Sequence, residues 1–564
     1  MPMIKRSPNL WFLKRILSYL SPFKNKIWTI TVCLIASSVL GFFQPLILRH
    51  ITDNGLIQKN LQVIIISVMT LLGLILFNQV LEVLQTKIFT DIHNKFKFTI
   101  WNQAFNKILH LKMEYYNDKN NSQIINCLQT DIDNVSSIMD RFMILNISFL
   151  FRVLSGVAGL LFISWKLTLI VIVMVPIKYL VVRTISKHKK KKMERLIENY
   201  CDFSSWLGDN IEGVKYIKLW NLYDQRYMFF EKKLKSIINS EKENTMLDTY
   251  NMCSEIILGW VVTGILYILG GILVVKGSLT IGGVLSFITY SNYVTGPISS
   301  IINLKYFLSR IYPSGERLFK FLDLENEYNP VNAIEISKET LEIQFKKVAF
   351  TYTEKGEVLK DINFSVLKGE KVAIIGSNGS GKTTLVNLLL RFIEPTSGEI
   401  EICNENINKI RLEEYRSLFA VVSQEPYLFY DTIQNNINLD ESGKEDMVNK
   451  ACLQSGASEF INKLPEKENS MVGQNGAKLS GGEKQKLAVA RVIVKDSPIV
   501  ILDEATSGFD VESDSYLHDI ILNELVGKTV IMITHRYENL IGMDRVYRLS
   551  DGRLEMLEKH TWCP

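Results

Sequence analysis

The run Gly376-Ser377-Asn378-Gly379-Ser380-Gly381-Lys382-Thr383-Thr384 has the composition and spacing of a loop that wraps a phosphate. Its glycines let the backbone turn tightly enough for successive N–H groups to point at one anion. Lys382 brings a full positive charge to the outer phosphates of a nucleotide, and the Thr383 hydroxyl suits Mg²⁺. A second group follows in Pro498-Ile-Val-Ile-Leu-Asp503-Glu504, an apolar run that ends in two carboxylates. Asp503 is placed to ligate the same Mg²⁺. Glu504, one residue further out, is placed to act as the base that orients a water for attack on the terminal phosphate. Alone, this run reads as a strand ending in a solvated acidic turn; beside a phosphate loop it reads as the second half of a nucleotide-hydrolysing site.

Such chemistry needs a strand to deliver the loop and a helix to receive it. Lys371–Ile375 is a short apolar run of strand character, and Thr384-Leu-Val-Asn-Leu-Leu-Leu390 has helical character. A helix starting at the loop adds the positive end of its dipole to the phosphate site. A glycine-rich turn arising by chance lacks both flanks. The second half of the chain is therefore expected to be an α/β unit built around a phosphate loop.

Residues 341–560 as a whole resemble the nucleotide-binding domain of ABC (ATP-binding cassette) proteins, with that family's motifs in that family's order. The resemblance implies ATP as the nucleotide, with Mg²⁺. It implies Tyr352 as the aromatic that stacks on adenine. It implies Gln424, in Val422-Ser-Gln-Glu-Pro426, as the glutamine that reaches Mg²⁺ and the water. It implies Ser480, Gly481 and Gly482, in Leu479-Ser-Gly-Gly-Glu483, as the signature that closes on a partner's ATP. Ser507-Gly-Phe-Asp510 corresponds to the D-loop, and His535 to the switch histidine at the γ-phosphate. Singly, Tyr352 reads as a strand aromatic, Gln424 as a loop residue and His535 as a structural histidine. The chain departs from the family at Glu483, where glutamine is usual, and an added carboxylate there is expected to weaken ATP binding by like-charge repulsion. It departs again at Val472-Gly-Gln-Asn-Gly476, where exporters usually carry Val-Gly-Glu-Arg-Gly.

The chain has 564 residues, of which 47% are apolar, and the apolar residues crowd into the first half. Stretches at about 27–52, 61–84, 143–163, 168–186, 256–275 and 282–304 are each of the length and polarity that cross a bilayer, for which ~20 apolar residues suffice. Lys5, Arg6, Lys14, Arg15, Lys24 and Lys26 precede the first stretch, and Lys187 with Lys189–Lys192 follows the fourth. The short links carry one lysine each. By the positive-inside rule the N-terminus, the long polar segments and the nucleotide unit lie on the cytosolic side of the cell membrane. A net charge of +5 gives no reason to expect a nucleic-acid partner. The seven cysteines show neither metal-ligand spacing nor a disulfide framework.

The first half resembles the six-helix transmembrane domain of ABC exporters, on the phrases Ser164-Trp-Lys-Leu-Thr168 and Gly277-Ser-Leu-Thr-Ile-Gly-Gly-Val-Leu-Ser-Phe-Ile288. The expected organisation is a helical membrane domain at 1–323, a linker at 324–340 and an α/β nucleotide-binding domain at 341–564. Turns near 114–124 and 209–219 would form coupling helices. Charged residues inside spans usually face a cavity, which makes Arg152 and Lys178 candidate substrate residues. Snorkelling or pairing with backbone carbonyls is the alternative for each. Asn78, Glu82 and Gln85 share a helical face on span two, as Tyr290, Tyr293, Pro297 and Ser300 do on span six. The functional expectation is ATP-driven export of a peptide or other amphiphile by two copies of the chain. Lipid or multidrug export, or an ATP-gated regulator that moves nothing, are the alternatives.

Overall fold

The structure, a computed structural model, describes residues 8–117, 121–330, 332–334, 341–352, 356–439, 445–504, 525–535 and 540–559. The chain forms two compact units, one of residues 1–109 and 120–324, the other of residues 110–119 and 325–564. The sequence boundary had left 110–119 with the membrane half. Backbone pairing moves it: Leu111 bridges Asn326, and the Glu327 N–H donates to the His110 carbonyl at 2.8 Å.

The first unit is helical. Its elements are α1 (Pro8–Leu20), α2 (Lys24–His50), α3 (Leu61–His110), α5 (Asn121–Ser136), α6 (Arg141–Ile163), α7 (Trp165–Glu212), α8 (Val214–Leu219), α9 (Tyr223–Val275), α10 (Ile281–Thr295) and α11 (Ile298–Leu322); the short α4 (Glu114–Asn117) belongs to the second unit. A 50-residue helix such as α3 is roughly 75 Å long, more than twice a hydrocarbon core. Part of α3, and of the similarly long α7 and α9, therefore extends beyond any membrane.

Among the described residues five helical stretches are long and apolar enough to span: 14–56, 61–110, 124–163, 165–185 and 223–275. The sixth expected span, 282–304, is two helices instead. α10 stops at Thr295 and α11 restarts at Ile298. Pro297 has no N–H to continue the helical ladder, so the chain breaks there. The lysine run after the fourth stretch is partly paired. Lys192 pairs with Glu243 at 2.7 Å and Lys189 pairs with Asp248, both across to α9.

α10 is packed against α6, α2 and α9. Gly156 and Gly159 of α6 make this approach feasible. A Cβ on Gly156 would stand 2.9 Å from the Tyr293 Cβ, and one on Gly159 would overlap the Tyr290 ring. Small residues at such crossings let apolar helices close in where no hydrophobic effect drives them.

The second unit carries the strands β1 (Ile343–Tyr352), β2 (Gly356–Val366), β3 (Lys371–Ile375), β4 (Ser397–Ile402), β5 (Glu405–Asn406), β6 (Phe419–Val422), β7 (Ile499–Asp503), β8 (Thr529–Thr534), β9 (Arg545–Ser550) and β10 (Arg553–Leu557). They make an antiparallel sheet in the order β2-β1-β4-β5 and a six-stranded sheet in the order β10-β9-β3-β8-β7-β6. In the larger sheet only the β9–β10 pair is antiparallel. Its parallel strands are buried on both faces, which is why β3 and β7 read as unbroken apolar runs. The helix α12 (Lys382–Leu389) follows β3 directly.

Candidate functional site

Parallel pairing collects the chemistry at one edge of the larger sheet. Val422 pairs with Leu502, Asp503 with Ile533, and Ile375 with Thr534. The carboxyl ends of β6, β7, β8 and β3 therefore lie side by side, where ligands of such sheets bind. Gln424 follows β6, Asp503 ends β7 with Glu504 next, His535 follows β8, and the loop 376–384 follows β3.

Glu504 is the centre of the group. Its Oε2 accepts from Gln424 Nε2 at 2.8 Å. Its Oε1 lies 3.9 Å from Lys382 Nζ and 3.9 Å from His535 Nδ1. Its backbone has φ +45°, a left-handed conformation costly for a residue with a Cβ, and its N–H donates to the Ile533 carbonyl at 3.0 Å. That turn points the side chain back over the loop rather than onward with the strand. Asp503 beside it is driven above the usual carboxylate range by burial first and by the Glu504 charge second, with Lys382 opposing.

The loop has the shape of a phosphate cradle. Gly381 sits at φ +109°, where a Cβ would strain the backbone and come 2.8 Å from Leu359 Cδ2. Lys382 is buried and donates to the carbonyls of Gly376 at 2.8 Å and Ser377 at 3.0 Å. Ser380 Oγ is buried with no hydrogen-bond partner, an orphan that a phosphate oxygen would satisfy. Ser377, Asn378 and Gly379 line the same turn, with Gly379 at φ +81° and open space beside it. Thr383 is exposed at the start of α12, whereas Thr384 is buried with its hydroxyl 3.5 Å from the Tyr352 phenol. Tyr352 packs edge-on against Phe350 with centroids 4.7 Å apart, which fixes its ring beside the loop.

For Mg²⁺ the fitting donors are the Thr383 hydroxyl, the Asp503 carboxylate and the Gln424 amide oxygen. Among the described residues no cluster of three or more His, Cys, Asp or Glu could hold a metal by itself. A Mg²⁺ held by one carboxylate and completed by phosphate oxygens and water fits that donor set.

Ser480 caps the helix Gly481–Lys495, with Gly481 and Gly482 forming its first turn. Glu483 also has a structural role in its own helix. The Glu483 carboxylate accepts from the Ser480 N–H at 2.7 Å and from the Ser480 hydroxyl at 2.8 Å, so it closes a capping box. Among the described residues no hydrogen bond joins Ser480, Gly481 or Gly482 to the loop 376–384. In the segment 472–476, Asn475 takes φ +46°, a left-handed conformation that asparagine tolerates well, and its carbonyl accepts from Lys484 at 2.8 Å. The D-loop residues 507–510 lie outside the described residues.

The membrane unit holds a cavity of about 410 Å³. Asn78, Glu82, Arg152 and Tyr293 line it. Tyr290 and Lys178 do not. Tyr290 is fully buried and its hydroxyl donates to the Phe42 carbonyl. Lys178 is buried and donates to the Thr295 carbonyl at 2.7 Å, so it caps the end of α10 instead of facing the cavity. Gln44, Gln79 and Gln85 join the lining. Gln44 and Gln79 had not been singled out, although polar side chains inside apolar spans are the signal that finds them.

Comparison with known proteins covers both units of the chain. A family model described as the ABC transporter transmembrane region matches residues 27–298, and one described as ABC transporter matches residues 359–507. The chain is 30% identical to the ATP-dependent lipid A-core flippase of Alcanivorax borkumensis, over 97% of this chain and 95% of that one. It is 28% identical to the beta-(1→2)glucan export ATP-binding/permease protein NdvA of Bartonella bacilliformis, over 96% of this chain and 91% of that one. A solved structure of a bacterial Atm1-family ABC exporter with ATP bound shares the fold at TM-score 0.81 and 20% identity, over 94% of this chain and 95% of that one.

Proposed function

The chain belongs to the ABC transporter family as an exporter half-transporter, and we propose that two copies of it export an amphiphilic substrate across the cell membrane. It is a multi-pass membrane protein whose ATP-binding domain drives an ATPase coupled to transmembrane movement.

In this reading the homodimer carries two composite sites. Each loop 376–384 binds ATP with Mg²⁺ on Thr383, Asp503 and Gln424, and each signature at Ser480–Gly482 completes the partner's site. Lys382 and the orphaned Ser380 hydroxyl bind the phosphates. Glu504, steered by Gln424, orients water and takes its proton; His535, on the same carboxylate, contacts the γ-phosphate. The nucleotide unit lies in the cytosol, consistent with the lysine-rich flanks of the spans.

The observation that carries the substrate class is the cavity lined by Arg152 and Tyr293 within a unit of apolar helices. It suits an amphiphile, whether a lipid-borne headgroup or a peptide. The relatives named for lipid A-core and for glucan favour the lipid or saccharide side of that class. The test is ATP-dependent uptake of labelled amphiphiles into inside-out vesicles containing the chain. Uptake that requires ATP and is lost in Glu504→Gln is expected. ATP hydrolysis with no movement of any amphiphile would leave a regulator in place of a transporter.

A further inference from the structure

We infer that the membrane cavity is a two-part headgroup site: Arg152, seated on the Tyr293 ring, takes an anionic group, and the Asn78 side-chain oxygen takes a hydroxyl or amine donor of the same headgroup. The inference rests on the exporter reading above and narrows its substrate to an acidic amphiphile that also carries hydrogen-bond donors.

The anion half is built by three helices. The Arg152 guanidinium carbon stands 4.2 Å from the Tyr293 ring centroid. The Tyr293 hydroxyl donates to Gln44 Oε1 at 3.3 Å, which ties α10 to α2 and fixes the ring. Gly156, one turn beyond Arg152 on α6, leaves the space that brings Tyr293 so close. Contact with the ring occupies one face of the guanidinium and leaves its in-plane N–H fork for a carboxylate or phosphate. A cation inside a span is costly and ordinarily has a counter-ion or a functional role.

The donor half lies on α3. Asn78 Oδ1 is buried and accepts no hydrogen bond, though the residue lines the cavity. A buried acceptor without a donor is a rare state, and a ligand hydroxyl or amine relieves it. Glu82 follows one turn later on the same lining. Phe77, Val80 and Val83 alternate with these polar residues and are exposed, so apolar surface for an acyl chain flanks the polar cavity on one helix. A volume of about 410 Å³ lies within the ~300–1,000 Å³ of small-ligand sites and suits a headgroup.

The test uses the full chain in phosphatidylcholine nanodiscs and reads the concentration of added amphiphile that half-maximally stimulates the ATPase. Four probes separate the features: dodecanoate carries the anion alone, monododecanoylglycerol the donors alone, and N-dodecanoylserine and lysophosphatidylglycerol both. Both double probes should act at concentrations at least fivefold below the single ones. A lead for lysophosphatidylglycerol identifies a lipid phosphate, a lead for N-dodecanoylserine a peptide-like carboxylate. Arg152→Ala should abolish the advantage of lysophosphatidylglycerol over monododecanoylglycerol, and Arg152→Lys should restore part of it. Asn78→Leu should abolish the advantage of N-dodecanoylserine over dodecanoate. If Arg152→Ala does not fold, Arg152→Lys and Asn78→Leu carry the test. Unchanged probe ratios in these variants overturn the two-part site while leaving export intact. ATP hydrolysis with no ATP-dependent uptake of any of these probes into inside-out vesicles containing the chain overturns the exporter reading itself.

Discussion

The hydroxyl and the backbone N–H of Ser480 both donate to one carboxylate oxygen of Glu483, at 2.8 and 2.7 Å. The signature serine is therefore engaged by its own helix. To contact a partner's γ-phosphate its hydroxyl must leave a charge-assisted bond, and the carboxylate stays nearby. Glu483→Gln keeps the capping geometry and removes the charge. The KM for ATP should fall about threefold, equivalent to ~0.6 kcal/mol, with kcat changing less. Steady-state ATPase at low salt checks this, and an unchanged KM would show that Glu483 does not act on the phosphate.

Glu504→Gln should lower ATPase kcat by at least ~10²-fold, the lower end of what a positioned base contributes. ATP binding should persist, because Lys382 and the loop amides are untouched. Equilibrium binding of radiolabelled ATP beside single-turnover hydrolysis separates the two effects.

The raised Asp503 carboxyl makes Mg²⁺ retention pH-dependent. A metal ligand must be ionised, so Mg²⁺-nucleotide affinity should fall as pH drops through the raised value, earlier than for an ordinary aspartate. Glu504→Gln removes the second cause of that shift and should move the midpoint to lower pH. Burial, the first cause, keeps it from returning fully. Mg²⁺-dependent binding of a fluorescent ATP analogue across a pH series reads the midpoint directly.

Arg416 makes a bidentate pair with Glu327 at 2.9 and 2.8 Å and also donates to the Leu390 and Arg391 carbonyls. Arg416→Ala strands a mostly buried carboxylate and two carbonyls, and should cost about 2–3 kcal/mol of stability. Thermal unfolding of the full chain in detergent should show the loss. Adding Glu327→Gln should recover part of it, because the uncompensated charge is then gone.

Gly159→Ala should destabilise the membrane unit by about 1–3 kcal/mol, since the new methyl meets the buried Tyr290 ring. Gly41→Ala, with nothing within 4 Å of its Cβ, is the matched control and should be close to neutral. Comparative thermal aggregation of the two variants distinguishes them.

Much of this was legible in the chain because it is local. The phosphate loop declares itself through glycine spacing, and the spans through runs of apolar residues; both are covalent neighbours, and their physics acts over a few residues. The assignment of 110–119 to the nucleotide unit was not legible, since it depends on a pairing of Leu111 with Asn326 across two hundred residues of chain. Nor was the fate of the buried cation and aromatic. By composition Arg152 and Lys178 are equivalent charges at mid-span, and Tyr290 and Tyr293 are equivalent rings on one helix. Tertiary packing alone separated them. Gly159 closes on Tyr290 and buries it, and the carbonyl left free at the end of α10 takes Lys178. Arg152 and Tyr293 are left in contact at the cavity. The sequence by itself determined that the chain handles ATP and crosses a membrane, because those properties follow from residue type and spacing. Which side chains face the substrate was decided only when helices distant in sequence met, because a side chain's surroundings are set by its neighbours in space.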